Sequence, residues 1–356
     1  MSSPPDEPRG GLSRRQLLRT AAGAAVLAGW SALTRGFGGL FGTEAAEASA
    51  PRTRFTPLRK DGVVVIVRHS QAVSAARKVD RSAVAKMLAA GVMRLAGGKD
   101  ASEAWRRFFS PGDVVGLKVN CLGAPTTHTH VEVALAVADG LRRAGLPDRN
   151  VIIFDRLTEE LARAGFPVNT GSGLRCFGTD HRGYDAEPTT AGDVASCFSR
   201  IVSQDCTALV NLPLLKDHDV AGVSISLKNH FGCINNPNKL HLDGCCPAVA
   251  DLNLAPMLRE KQRLIVCDAL EVTYDGGPTY RPATTARYGA LLIGTDPVAL
   301  DRVGWQVIER LRAKAGFKPL RAVGREPRYI AVAGDRGHRL GVADPSRLQE
   351  ITVSVG

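Results

Sequence analysis

Residues 211–246 read NLPLLKDHDVAGVSISLKNHFGCINNPNKLHLDGCC and concentrate Lys216, His218, Lys228, Asn229, His230, Cys233, His241, Cys245 and Cys246. Ammonium, imidazole and thiol groups are costly to bury unless something pairs with them, so this cluster points to a binding or catalytic site. His218, His230 and His241 follow one another at intervals of 12 and 11 residues. Three imidazoles, or two with a carboxylate such as Asp268, would hold a divalent metal, zinc or iron, with one position open to water or substrate. The spacing is not that of a His pair on one helix face, and no HExxH occurs. Lys118 stands inside the apolar run 114–119, and Lys216 and Lys228 have similar settings. A lysine in such a run must be paired or emerge into a cavity. The three are therefore candidates to hold a phosphate or carboxylate, or to supply a base or Schiff-base nucleophile. The bland alternative is that their stems snorkel to the surface.

The elements that must position these groups alternate in type. Strand-like apolar runs occupy 63–67, 114–119, 151–154, 208–215, 264–266 and 290–293. Helical patterns fall at 82–95, 131–144, 159–164, 249–259 and 298–314, the last opening on Asp296-Pro297. Continuous apolar strands separated by helices predict an α/β fold, a mostly parallel sheet with helices on both faces. Short β-like runs at 329–332 and 351–353 are small edge-strand additions, and 169–199 is a surface excursion. His69, Asn120, Asp155, Lys216 with His218, Asp268 and Asp296 follow the six main runs in turn. In open parallel sheets ligands bind beyond the carboxyl ends of strands, so these residues predict a cleft along one edge. Asp296 is read instead as a helix cap. The 275–278 turn, Asp-Gly-Gly-Pro, is placed on the cleft floor.

Net charge is +11, and residues 49–356 alone keep 41 basic against 31 acidic side chains. A basic surface favours anionic partners. No basic run is interleaved with aromatics, so nucleic acid is not expected. Ser13-Arg14-Arg15-Gln16-Leu17-Leu18-Arg19 has the twin-arginine export pattern, followed by an uncharged segment from Thr20 to Thr34 too weakly apolar for a permanent membrane anchor. Cleavage is expected after Ala48, giving a signal peptide at 1–48, a linker at 49–60 and one α/β domain at 61–356. The twin-arginine translocase is then a partner and the periplasm the destination. Eight cysteines in an exported chain permit disulfides, but no CxxC spacing supports a ferredoxin-type iron–sulfur cluster.

Gly116-Leu117-Lys118-Val119-Asn120, Leu214-Leu215-Lys216-Asp217-His218 and Ser226-Leu227-Lys228-Asn229-His230-Phe231-Gly232 together resemble the family called domain of unknown function 362. Gly276-Gly277-Pro278 and Asp296-Pro297-Val298-Ala299-Leu300-Asp301 extend the resemblance over roughly residues 60–310. It implies an α/β domain without an established reaction, in which Lys118, Asn120, Lys216, His218, Lys228, Asn229 and Gly232 are recurring motif positions. Many relatives look like iron–sulfur proteins through a fused ferredoxin module, a label that does not carry over to this sequence. The residues favour an exported enzyme with a metal- or anion-binding cleft acting on a small acidic substrate. In that reading Lys216, His218 and Asp268 are catalytic and Lys118, Asn120, Lys228 and Asn229 bind the anion. The alternative is a non-catalytic periplasmic binding protein for an anionic ligand or metal.

Overall fold

The computed structural model describes residues 55–356; the expected export signal at 1–48 lies outside them. Twelve strands are present among the described residues: β1 (Val63–Arg68), β2 (Val115–Lys118), β3 (Val151–Phe154), β4 (Arg175–Cys176), β5 (Thr189–Ala191), β6 (Val194–Ser196), β7 (Ala208–Asn211), β8 (Leu214–His218), β9 (Gly222–Ser224), β10 (Gln262–Thr273), β11 (Thr285–Gly294) and β12 (Gln349–Ser354). Ten form one sheet in the order β12-β1-β11-β10-β7-β2-β3-β4, with β8 on β10 and β9 on β8, while β5 and β6 form a separate hairpin. Pairing is parallel except where β11 meets β1 and β10, and where β9 meets β8. The fold is a mostly parallel α/β sheet, with β12 as the edge addition.

Helices cover both faces, and strand alternation shows it. Val65 and Val67 of β1, Val115 and Leu117 of β2, and Leu264 and Val266 of β10 join the core beneath helices Arg81–Ala96, Ala101–Arg106 and Val131–Arg143. Val64 and Ile66, Ile152 and Phe154, and Ile265 and Cys267 point the other way, into the core containing helices Ala248–Leu252 and Pro297–Lys314. Successive side chains of a strand point to opposite faces, so the two cores are the two sides of one sheet.

Several elements differ from the sequence expectation. Residues 329–332 are helical, within Tyr329–Ala333, where Tyr329 and Ile330 bury against the second core. The run 208–215 breaks at Leu212-Pro213, since Pro213 has no N–H to continue the ladder. The pattern at 249–259 divides into Ala248–Leu252 and Pro256–Arg259, with Pro256 opening the second piece. β10 runs 12 residues, so Asp268 lies within a strand and not beyond one. β11 runs against its neighbours, which puts Asp296 at the opposite rim from Asn120. Asp296 caps its helix through Val298 N and Ala299 N, both 2.9 Å, and also accepts from Gly62 N and Val342 N. Residues 55–60 lie against the folded unit, with Leu58 N donating to Arg107 O and Lys60 N to Thr295 Oγ1. All eight cysteines are unpaired. No helix of the described residues is long and apolar enough to cross a membrane.

Candidate functional site

The break at Leu212-Pro213 creates the site. β7 pairs with β2 as far as Asn211 opposite Lys118; β8 then continues along β10, away from β2. A cavity of about 420 Å³ opens between β8 and the carboxyl ends of β2 and β3. Lys118, Asn120, Lys216, His218, Lys228, Asn229 and His241 all line it.

Its floor is a closed polar network. Lys118 is 1% exposed, pairs with Asp155 Oδ1 at 2.7 Å and donates to Val119 O at 2.6 Å. Asp155 accepts from Cys121 N through its other oxygen at 2.6 Å. Asn229 Nδ2 donates to Asn211 Oδ1 and Lys118 O, while its Oδ1 accepts from Asn120 Nδ2 at 3.2 Å. Asn229 therefore ties β2, β7 and the Ser226–Asn229 turn together. Gly232 is required by closeness: a Cβ there would stand 2.7 Å from both Asp155 Oδ1 and Lys118 Nζ. The Ser226–Asn229 turn is held from below by Asp301, which accepts from Ser226 N at 2.8 Å, Leu227 N at 3.2 Å and the Ser226 hydroxyl. Burial pushes the Asp301 carboxyl up to about 7.

Lys216 and Lys228 differ from Lys118. Their hydrogen-bond partners among the described residues are neutral: Asn120 Oδ1 at 2.8 Å for Lys216 and His241 Nε2 at 3.1 Å for Lys228. Lys228 also sits 4.5 Å above the Phe231 ring, a cation–π contact. Burial, then repulsion from Lys228, lowers Lys216 to about 8; burial lowers Lys228 to about 8 as well. His218 stacks on His241 with centroids 5.7 Å apart. Burial and then the Lys228 charge hold His218 far below its ordinary range, at about 2, so it is neutral. Its Nδ1 faces Val220 N, Ala221 N and the Asp219 carboxylate. Arg156 and Glu160 form a further ion pair on the wall.

The roof comes from Pro278 of the Asp-Gly-Gly-Pro turn. Gly277 N donates to Asp217 Oδ2 at 3.0 Å, and Arg325 binds Asp217 at 2.9 Å and Asp275 at 2.9 Å. Arg312 secures Asp275 from the helix beneath at 2.6 Å. Asp217 is thus the buried anchor of the roof, while its strand neighbours Lys216 and His218 line the cavity.

Three expected residues stand elsewhere. Asp268 is on the face carrying Leu264 and Val266, the face opposite Lys118, where it binds His130 Nδ1 at 2.7 Å and His130 N at 2.8 Å. It cannot act with Lys216 or His218. His230 is 1% exposed and enclosed, its Nδ1 bonded to Asn253 Oδ1 at 2.7 Å and its Nε2 facing Asn211 Nδ2 at 3.3 Å. Both ring nitrogens being used, His230 is structural, and His218, His230 and His241 do not form one ligand set. Among the described residues no group of three or more His, Cys, Asp or Glu side chains is placed to hold a metal ion. His69 lines a different depression with Arg68 and Tyr288.

A family model described as Domain of unknown function (DUF362) matches residues 115–306. The chain belongs to this DUF362 family. The matched segment contains the cavity's lysines, Asn120 and Asn229, and the Asp301 support. No curated protein matches the chain. A crystal structure of a Thermotoga maritima protein is similar at 12% identity and a TM-score of 0.37, covering 66% of this chain and 59% of the other, so the chain spans less than two thirds of that protein. Sequence reasoning missed two supports of the cavity: Arg325, whose partners are remote in sequence and which lies beyond the matched segment, and the depth of Asp301, which reads as part of a helix start.

Proposed function

We propose that this is an exported protein that binds a small anionic substrate in the β2–β8 cavity and acts on it there. The carrying observation is the contrast among three buried lysines. Lys118 is neutralised by Asp155, whereas Lys216 and Lys228 face the same cavity with only neutral hydrogen-bond partners among the described residues. Two such ammonium groups suit a dianion, which would restore to each what burial removes. Asn120 orients Lys216, and His218 and His241 give the pocket a neutral polar wall. Before an anion binds, burial leaves Lys216 lowered to about 8, so it would also be available as an acid or base toward a substrate entering the cavity. Export would run through residues 1–48 and the twin-arginine translocase, and the protein would act in the periplasm.

Titration calorimetry with sulfate and inorganic phosphate tests the anion site. Both should bind the wild-type protein, and Lys216→Met and Lys228→Met should each weaken binding by ten-fold or more. Equal affinity in wild type and in both variants would refute the assignment.

A further inference from the structure

The same cavity has a second, apolar character, and its meaning for the ligand rests on the proposed anion site at Lys216 and Lys228. Those cations lie at the buried end: Lys216 is 3% exposed and Lys228 is 7% exposed. Beside polar lining that includes Asp219, Asn238 and the Arg156–Glu160 pair, an apolar part is contributed by Leu122, Val220, Phe231, Pro237 and Pro278. Leu122 is 55% exposed and Val220 38% exposed, although both line the cavity, which puts them at its opening. Leu242, beside the cavity residue His241, is 80% exposed. An inorganic anion held by the two lysines would leave this apolar wall wet. Large aliphatic side chains at the rim of a pocket gain stability only when something apolar covers them.

We infer that the substrate is an amphiphilic acid, with an anionic head on Lys216 and Lys228 and an aliphatic or aromatic body lying along Phe231, Pro237 and Pro278 and leaving between Leu122 and Val220. The dimensions agree. At about 420 Å³ the cavity exceeds the needs of a single phosphate or carboxylate and falls in the range of small-molecule sites. The arrangement also orders the ligand, since the head cannot sit at the apolar rim without losing both ammonium groups.

The test is calorimetry on the full chain with inorganic phosphate and with methyl, butyl and hexyl phosphate, alongside acetate, butyrate and hexanoate. Each methylene entering the cavity should tighten binding about three- to four-fold, the effect of burying one CH₂. The gain per methylene should fall below about two-fold in the Leu122→Ser/Val220→Ser double variant, and all alkyl phosphates should weaken together in Lys216→Met. A phosphate series binding more tightly than the carboxylate series identifies a phosphorylated amphiphile, and the reverse identifies a carboxylic one. Affinity that does not rise with chain length would overturn the amphiphile while leaving the anion site standing. Absence of binding by every anion in the panel would overturn both.

Discussion

Asp155→Asn is the sharpest perturbation of the cavity floor. The substitution keeps the shape of the side chain and removes the charge that neutralises Lys118 at 2.7 Å, where the side chains are 1% and 4% exposed. Deleting one partner of a buried ion pair costs about 3–5 kcal/mol, because the surviving charge stays buried and uncompensated. Lys118 keeps its bond to Val119 O and a longer one to Asn229, but the single acceptor oxygen of an asparagine cannot serve both Lys118 Nζ and Cys121 N. The loss should therefore fall within that range, about 3–5 kcal/mol, or a drop in Tm of roughly 5–8 °C for a domain of this size. Urea unfolding followed by circular dichroism measures it as a lower midpoint at constant slope. Lys118→Met introduced into the same chain removes the orphaned ammonium and should recover at least half of the loss. An Asp155→Asn protein within about 1 kcal/mol of wild type, or a double variant no better than the single, would show that the floor is not organised around this pair.

Four further outcomes are expected from the geometry. Stability should rise between about pH 8 and the ordinary lysine range. Lys216 and Lys228 release protons there in the folded chain while the unfolded chain still holds them; the rise should flatten in Lys216→Met, which should also melt higher at pH 7. Sulfate affinity should fall over that same window as the two charges are lost, and calorimetry at pH 7 and pH 9 reads it, since sulfate keeps its own charge throughout. Asp301→Ala leaves two buried backbone N–H groups without an acceptor and should cost about 2–4 kcal/mol, with weaker sulfate binding because the turn carrying Lys228 and Asn229 is released. Asp268→Asn should lower stability through the buried His130 pair yet leave sulfate affinity within two-fold of wild type, because the pair lies on the other face of the sheet.

The alternation of apolar strands and helical patterns was legible because burial on both faces of a parallel sheet demands continuous apolar runs. The gathering of Lys118, Lys216, His218 and Lys228 was legible for a related reason, since a lysine inside such a run must meet a cavity or a partner. Asp268 is misplaced by the assumption that residues beyond successive runs share one rim. Strand parity corrects this: Lys118 is an odd step from Leu117, and Asp268 an even step from Leu264. Parity could have been read from the sequence once β10 was known to continue past Val266. The reversed direction of β11, which moves Asp296 to the far rim, leaves no local trace, because pairing direction depends on where the chain returns. His230 resembles a ligand by type. Only the folded chain shows both its nitrogens occupied by Asn253 and Asn211. The helix at 329–332 carries β-branched and aromatic residues, and its docking against the second core outweighs their local preference.

The interruption at Leu212-Pro213 also divides the labour of the cavity between two supports, joined where Lys216 Nζ donates to Asn120 Oδ1. The Lys118–Asp155 base is fastened to β2 and β3, whereas the hood of β8, β9 and the Asp-Gly-Gly-Pro turn hangs from β10 and from the Arg325 and Arg312 braces. Exchanges in the hood can reshape what the pocket admits without disturbing its foundation. One scaffold of this kind can serve many different guests, and diversification among its members should concentrate above the lysines and spare the ground beneath them.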